Sequence, residues 1–273
     1  MSLITVAVIP VRYASTRFPG KPLANETGKY LIQHVCERVG QCRKIDRVIV
    51  ATDDDRIVRA VESFGGEARL TRANHASGTD RIGEVVGTLD LANDDIVLNV
   101  QGDEPEISAD VLDRLIDHMN KPGTGCRIGT LAAPFADDGP RKGAGSPLDP
   151  NCVKVVVDSA GLALYFSRSR IPYLRKTDGV VDRPSRWLLH LGVYAFRADT
   201  LWTITGSGLA GTALEEAESL EQLRWLEHGL PIAVVVVEHG FVGIDTPEDY
   251  AAFVKRCCSE PRVSTRAESR MEP

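Results

Sequence analysis

The sequence predicts an α/β fold with a mainly parallel central sheet and a smaller antiparallel β region behind it. Three observations point there. Apolar, β-branched runs alternate with stretches of helical spacing through the first 126 residues, polar loops follow the first, second and fourth of those runs, and from Arg127 apolar and polar residues alternate across turns. Strand, helix and strand again imply parallel pairing through right-handed crossovers, with helices on both faces.

Residues 4–10 form the first apolar strand, and 30–39 carry helical spacing. A short strand at 48–51 precedes a helix at 54–64 that Gly65-Gly66 ends. A strand at 67–70, a polar loop at 71–79, a helix at 80–89 and a strand at 96–100 complete this half. Beyond it, "CRIGTLAAPF" and "CVKVVVDSAGLALYFSRSRIPY" read as antiparallel structure, the second as a hairpin turning at Asp158-Ser159-Ala160-Gly161. The stretch 136–150, rich in Gly, Pro and charge, is expected to be a mobile link. One helix-like run, "LEEAESLEQLRWLEHG", and the strand "IAVVVVE" lead to "GIDTPEDYAAFVKR". Residues 1–258 are expected to be a single domain with halves 1–126 and 127–258, and 259–273, poor in apolar residues, a disordered tail.

The 273 residues, 43% of them hydrophobic and 26% charged, are ordinary for a globular protein with a sizeable core. A net charge of −6 argues against nucleic acid or an anionic membrane as the main partner, so any cationic site must be local. Six scattered cysteines without CxxC spacing support neither a zinc site nor a disulfide framework. No apolar stretch approaches the roughly 18 residues of a membrane span, and the expectation is a cytoplasmic protein.

Four polar stretches are candidates for chemistry. In "RYASTRFPGK", Arg12, Arg17 and Lys21 lie within ten positions beside Ser15, Thr16 and Gly20, so guanidinium forks, hydroxyls and backbone N–H groups can converge on a polyanion. The order is not that of a P-loop. In "NVQGDEP", a strand ends in Asp103, a candidate magnesium ligand beside a phosphate, with Glu104 left to cap or pair locally. In "VGIDTPEDY", Asp245 or Thr246 caps a helix that Pro247 opens, and Asp245 is a second carboxylate for the same metal. In "TRANHASGTDRI", Arg72, His75, Ser77, Gly78, Thr79, Asp80 and Arg81 precede and open a helix where backbone donors can meet a base edge or phosphate. Each stretch alone is also an ordinary solvated loop or helix cap, as His190 and the pair Glu221-Gln222 are ordinary structural residues.

Taken in order, these stretches resemble the 3-deoxy-manno-octulosonate (Kdo) cytidylyltransferase family from about Ile4 to Arg256. The resemblance rests on "IPVRYASTRFPGKPL", "IVATDDDRI", "TRANHASGTDRI", "NVQGDEP", "NCVKVVVDSAGLALYFSRSRIPY", "HLGVYAFR", "SLEQLRWLEHG" and "GIDTPEDY". It implies a glycosyltransferase-A-like (Rossmann-like) nucleotidyltransferase fold, a homodimer paired through the antiparallel region, magnesium dependence, and transfer of CMP from CTP to Kdo with release of pyrophosphate. It implies that Arg12, Ser15, Arg17 and Lys21 hold the CTP phosphates; that Arg72, Ser77, Gly78 and Thr79 surround cytosine and ribose; and that Asp103 and Asp245 hold magnesium. Gln101, Arg168, His190, Tyr194, Glu221 and Gln222 are then expected around the sugar, with Gln101 also against the nucleotide and Arg168 or His190 meeting the sugar's carboxylate or a hydroxyl. Arg12, Lys21, Asp103 and Asp245 carry catalysis in this reading, residues 1–126 forming the CTP-binding half and 127–258 the sugar-binding and dimerisation half.

Two departures stand out, Leu189 where the family commonly has arginine and Phe18 where leucine is common, both expected on the sugar side. The rivals are a cytidylyltransferase for 8-amino-Kdo or a sialic acid, a catalytically silent nucleotide-binding protein, and a sugar-1-phosphate nucleotidyltransferase. The carboxylate pair disfavours the silent reading, and "RYASTR" lacks the glycine-rich first loop of the last.

Overall fold

In the computed structural model, which describes residues 3–122, 125–241 and 243–259, nine strands form one sheet. The first half runs β1 (Thr5–Val11), α1 (Leu31–Val39), β2 (Arg47–Thr52), α2 (Asp55–Ser63), β3 (Glu67–Leu70), α3 (Gly78–Val86), β4 (Ile96–Asn99) and α4 (Ala109–Met119). Each strand is expected within a residue or two of where it lies. The second half continues with β5 (Ile128–Pro134), the hairpin β6 (Lys154–Val157) and β7 (Ala163–Ser167), β8 (Leu188–Arg197), α5 (Ala198–Thr203), α6 (Ala213–Glu218), α7 (Glu221–Glu227), β9 (Ile232–Val236) and α8 (Pro247–Ser259). The residues beyond 259 assigned to a tail lie outside the described residues.

The strand order is β3-β2-β1-β4-β8-β5-β9, with β6 and β7 added beside β8. β1 pairs in parallel with both β2 and β4, so the chain first winds one way and then crosses to the other side of β1. A crevice forms outside the carboxyl ends of the strands at such a reversal. It separates the loop after β1 from the loop after β4. β8 runs antiparallel to β4 and β5, while β9 returns parallel to β5. The antiparallel region is therefore an extension of the same sheet rather than a separate layer.

Two apolar clusters cover the faces. Val35, Ile57, Leu112 and Ile116 from the helices meet Ala7, Ile9 and Leu98 on one; Ile82, Val85, Leu223 and Trp225 meet Val6, Val8 and Phe196 on the other. Period-two alternation sends neighbours in a strand to opposite clusters. Leu189 thus packs on the first face and His190 on the second.

Two expectations need correction. The run "LEEAESLEQLRWLEHG" is two helices, broken at Ser219, which takes a left-handed φ of 51°. The stretch 136–150 is tied down: Ser146 is buried, Asp149 accepts from the Gly145 amide at 2.8 Å, and the fully buried Lys154 ammonium donates to the Asp149, Cys152 and Arg168 carbonyls at 2.8, 2.5 and 2.6 Å. Leu189 and Phe18 pack apart from the other residues expected around the sugar. Leu189 reaches toward Gly240 on the opposite sheet face from His190, and Phe18 packs with Leu31 and Tyr250 beneath the first loop.

Candidate active site

After β1 the chain curls back on itself. The Gly20 amide donates to the Tyr13 carbonyl at 3.1 Å, and the Arg56 guanidinium lies over the Tyr13 ring at 3.4 Å. Gly20 has φ +71°, and a Cβ there would sit 3.1 Å from the Tyr13 hydroxyl, so a side chain would be both strained and crowded. The curl delivers Lys21 into the crevice at the start of a short 3₁₀ turn.

Lys21 meets both carboxylate-bearing loops. Its ammonium donates to Asp103 Oδ2 at 2.7 Å and to the Ile244 carbonyl at 2.6 Å, one residue before Asp245. The Ile244 amide donates to the Asp103 carbonyl at 2.8 Å, sewing the same two loops together through backbone. Gly102 permits the approach, since a Cβ there would stand 2.9 Å from Val11 Cγ2. Asp245 pairs with Arg17 at 2.9 Å, both side chains exposed. Arg12, Ser15, Lys21, Gln101, Gly102 and Asp103 line a cavity of about 180 Å³ between them.

The geometry at Asp245 also decides the helix cap. Thr246 Oγ1 accepts from the Asp249 amide at 3.2 Å while Asp249 Oδ2 accepts from the Thr246 amide at 2.9 Å, so Thr246 closes a reciprocal box. The Asp245 carboxylate is left for cations. Glu104 neither caps nor pairs: it is 8% exposed, Oε2 has no hydrogen-bond partner among the described residues, and burial together with Asp103 raises its pKa well above the carboxylate range. A sequence reading has no signal for that burial.

Among the described residues no group of three or more His, Cys, Asp or Glu side chains is placed to hold a metal. Two hard carboxylates, each now bonded to a cation, beside a phosphate-sized cavity nevertheless fit magnesium, which takes one or two carboxylates and completes its shell with phosphate oxygens and water.

The loop 71–79 closes the crevice from the β3 side. Arg12 donates to the His75 carbonyl at 2.6 Å. Arg72 bonds Glu84 through its amide and Nε at 3.2–3.3 Å, and His75 Nε2 bonds the same carboxylate. Ser77 caps α3 in a reciprocal box with Asp80, and Gly78 brings the helix start to within contact of Pro10. The backbone donors of this N-terminus therefore lie beside the end of β1, and an anion is favoured there.

Of the residues expected around the sugar, Gln101 lines that cavity, and His190 and Tyr194 stand on β8. Gln101 Nε2 donates to Asn99 Oδ1 and the Gly192 carbonyl, both at 3.3 Å, where β8 bulges. His190 Nε2 bonds Thr130 Oγ1 at 3.0 Å, with its ring edge-on to Phe166. Desolvation pushes its pKa down to about 3, so it is neutral at pH 7 and brings no charge to a carboxylate. Tyr194 is 6% exposed, lies edge-on to Trp225, and its hydroxyl has no partner among the described residues. Gln222 is buried.

Glu221 does something the sequence did not indicate. Ser77 Oγ donates to its Oε1 at 2.9 Å and Thr79 Oγ1 to its Oε2 at 2.7 Å, while Arg224 pairs with it at 3.0 Å. Burial, opposed by these bonds, leaves its pKa raised. One carboxylate thereby joins the start of α7 to the start of α3. Arg168 is likewise committed, its guanidinium donating to the carbonyls of Glu218, Pro150 and Ser219 at 2.6, 3.1 and 3.3 Å.

The structure thus gathers Arg12, Ser15, Lys21, Gln101 and Asp103 around one cavity, with Arg17 and Asp245 at its side, while Arg72 turns outward to Glu84. Residues 6–232 match the Cytidylyltransferase family. A 3-deoxy-manno-octulosonate cytidylyltransferase of Syntrophobacter fumaroxidans is 48% identical over 91% of this chain and 95% of its own length. An 8-amino-3,8-dideoxy-manno-octulosonate cytidylyltransferase of Shewanella pealeana is 45% identical over 89% and 94%. The solved structure of a CMP:2-keto-3-deoxy-manno-octonic acid synthetase complexed with CTP superposes with TM-score 0.82 and 40% identity, over 93% of this chain and 98% of that one. A 4-diphosphocytidyl-2C-methyl-D-erythritol synthase of Anaerococcus prevotii, at 15% identity and TM-score 0.58, shares the fold alone. The agreement of a cavity lined by Arg12, Lys21 and Asp103 at the strand reversal with matches spanning nearly the whole chain leads to one conclusion: this chain belongs to the 3-deoxy-manno-octulosonate cytidylyltransferase family.

Proposed function

We propose that the chain transfers CMP from CTP to the anomeric hydroxyl of Kdo, with magnesium held by Asp103 and Asp245. The observation that carries this reading is the single ammonium of Lys21 bridging Asp103 and the backbone next to Asp245 at the mouth of the β1 loop. When bound, the metal supplies Lewis-acid charge to phosphate oxygens and can acidify a bound hydroxyl. The chain's own residues supply position. Arg12, Ser15, Arg17 and Lys21 bind the triphosphate, the α3 N-terminus and the loop 71–79 receive the nucleoside, and Gln101 stands between nucleotide and sugar. The sugar hydroxyl attacks the α-phosphorus in line, pyrophosphate leaves, and the negative charge that develops falls among fixed cations, where pre-set electrostatics lower the barrier most.

The sugar rests against β8 and α7. The unpartnered hydroxyl of Tyr194 is the donor that a sugar oxygen would satisfy, with Gln222 and neutral His190 beside it. Kdo is favoured over 8-amino-Kdo because neither Leu189 nor Phe18, the departures from the family pattern, faces this pocket. We also propose a homodimer through the β6–β7 hairpin, where Leu164 is 62% exposed, and a cytoplasmic location.

The test is pyrophosphate release from CTP and magnesium with Kdo, 8-amino-Kdo and N-acetylneuraminate supplied separately. Release with Kdo alone supports the reading. Release with another acid only keeps the chemistry and moves the substrate, and silence with all three overturns it. Light scattering of the purified protein tests the dimer.

A further inference from the structure

The corner between α6 and α7 is held from outside both helices. Ser167 Oγ donates to Glu218 Oε1 at 2.6 Å, and the Arg168 amide donates to Glu218 Oε2 at 2.9 Å. In return the Arg168 guanidinium reaches the carbonyls of Glu218 and Ser219. The end of β7 and the end of α6 thus grip each other by four hydrogen bonds, three involving Arg168. Ser219 follows at a left-handed φ of 51°, a conformation that a non-glycine residue adopts only when its surroundings hold it there.

Two residues later stands Glu221. α7 is seven residues long, too short to be stable alone, so its direction is set by what anchors it. Leu223 and Trp225 anchor it in the core. At its start the anchors are the corner at Glu218 and the Glu221 bonds to Ser77 and Thr79. Moving the corner swings Glu221 and Gln222 relative to the caps of α3.

We infer that Glu218 is a positioning residue: its grip on Ser167 and Arg168 fixes the α6–α7 corner and so places Glu221 and Gln222 between the nucleotide-side helix and the acid sugar. This rests on the sugar placement proposed above. Arg168 belongs to the same device, because its fork ends on backbone carbonyls instead of standing free for a sugar carboxylate.

Glu218→Ala, Glu218→Gln and Arg168→Lys test it. KM for Kdo and for CTP are measured separately with kcat, alongside amide hydrogen exchange of α7 and thermal unfolding. Glu218→Ala is expected to raise KM for Kdo about tenfold or more and to speed exchange at residues 221–224, with KM for CTP changed less than about twofold. Glu218→Gln, which keeps an acceptor oxygen, should fall between it and the parent. Arg168→Lys should share the sugar-side signature, and adding it to Glu218→Ala should cost little more than either change alone. Unchanged exchange in α7 overturns the inference, as does an equal rise in both KM values, the mark of general structural damage. Faster exchange in a protein whose parent turns over no acid sugar supports the positioning and overturns the sugar reading alone.

Discussion

Lys21 and Asp103, 82 positions apart, are joined at 2.7 Å with the lysine side chain 13% exposed and the aspartate 32%. The pair links the loop after β1 to the loop after β4, and the second bond of Lys21 adds the loop before α8. An ion pair this accessible contributes about 0–1 kcal/mol to stability, so its value lies in where it places charge. Lys21→Met is expected to lower kcat by about 10²–10³ while shifting unfolding by no more than about 1 kcal/mol. Pyrophosphate release and urea unfolding measure the two, and a kcat near the parent's removes Lys21 from the catalytic set.

The two carboxylates should be no more replaceable. Asp103→Asn and Asp245→Asn each keep the shape and remove the charge, and each is expected to nearly abolish turnover in a folded protein, a loss of about 2.7–4 kcal/mol in the transition state. Circular dichroism checks the fold. Near-normal turnover of both at saturating magnesium would rule out the metal assignment.

His190 makes stability depend on pH in a stated direction. Its pKa falls from 6.5 to about 3 on folding, so below pH 6.5 the unfolded chain binds the proton and the native chain does not. Stability is therefore unaffected above pH 6.5 and declines as pH drops from 6.5 toward 3. At pH 4.5 the loss from this residue is about 2–3 kcal/mol relative to pH 7. His190→Asn should lose that part of the slope. Urea midpoints at the two pH values, compared between variant and parent, decide it, and equal slopes would place the titration elsewhere.

What could be read from residues alone follows from how local each cause is. β1, β2 and β4 are legible because strands buried on both faces read as continuous apolar runs, and their loops because charged and small residues interrupt those runs. Opposite faces for Leu189 and His190 also follow from strand period two, although resemblance alone put the departure at Leu189 on the sugar side. Ser219 is different. Its conformation is imposed by Arg168 and Glu218, and Arg168 lies 51 positions away, so helical spacing runs straight through the break. The same holds for Glu221, whose partners Ser77 and Thr79 are more than 140 positions distant. The burial of Lys154 likewise depends on carbonyls from two segments, Asp149 and Cys152 just before it and Arg168 at the far end of the hairpin.

Leu189→Arg separates sheet face from sequence neighbourhood. Leu189 lines a cavity of about 520 Å³ with Phe135, Asp137, Asp138, Glu238 and Phe241, so an arginine stem has apolar wall to cover and its head has carboxylates to meet. The expected outcome is stability within about 1 kcal/mol of the parent and a ratio of kcat/KM for Kdo over 8-amino-Kdo changed less than about threefold. A larger change in that ratio would show that the far face of β8 reads the sugar.

Tyr194→Phe should move stability and substrate affinity in opposite directions. The Tyr194 hydroxyl is buried without a partner among the described residues, an arrangement that costs about 1–3 kcal/mol in the free protein, and deleting it leaves the edge-on contact with Trp225 and the stacking on Phe196 in place. The variant is therefore expected to unfold at higher urea. If a sugar oxygen is the missing partner, the same deletion raises KM for Kdo about tenfold, with KM for CTP unchanged, because the hydroxyl finds its bond only in the complex. Urea midpoints and the two KM values test both halves. A stabler variant with unaltered KM for Kdo would mean that the sugar does not reach this hydroxyl, whereas lower stability would show that the hydroxyl already has a partner in the free protein.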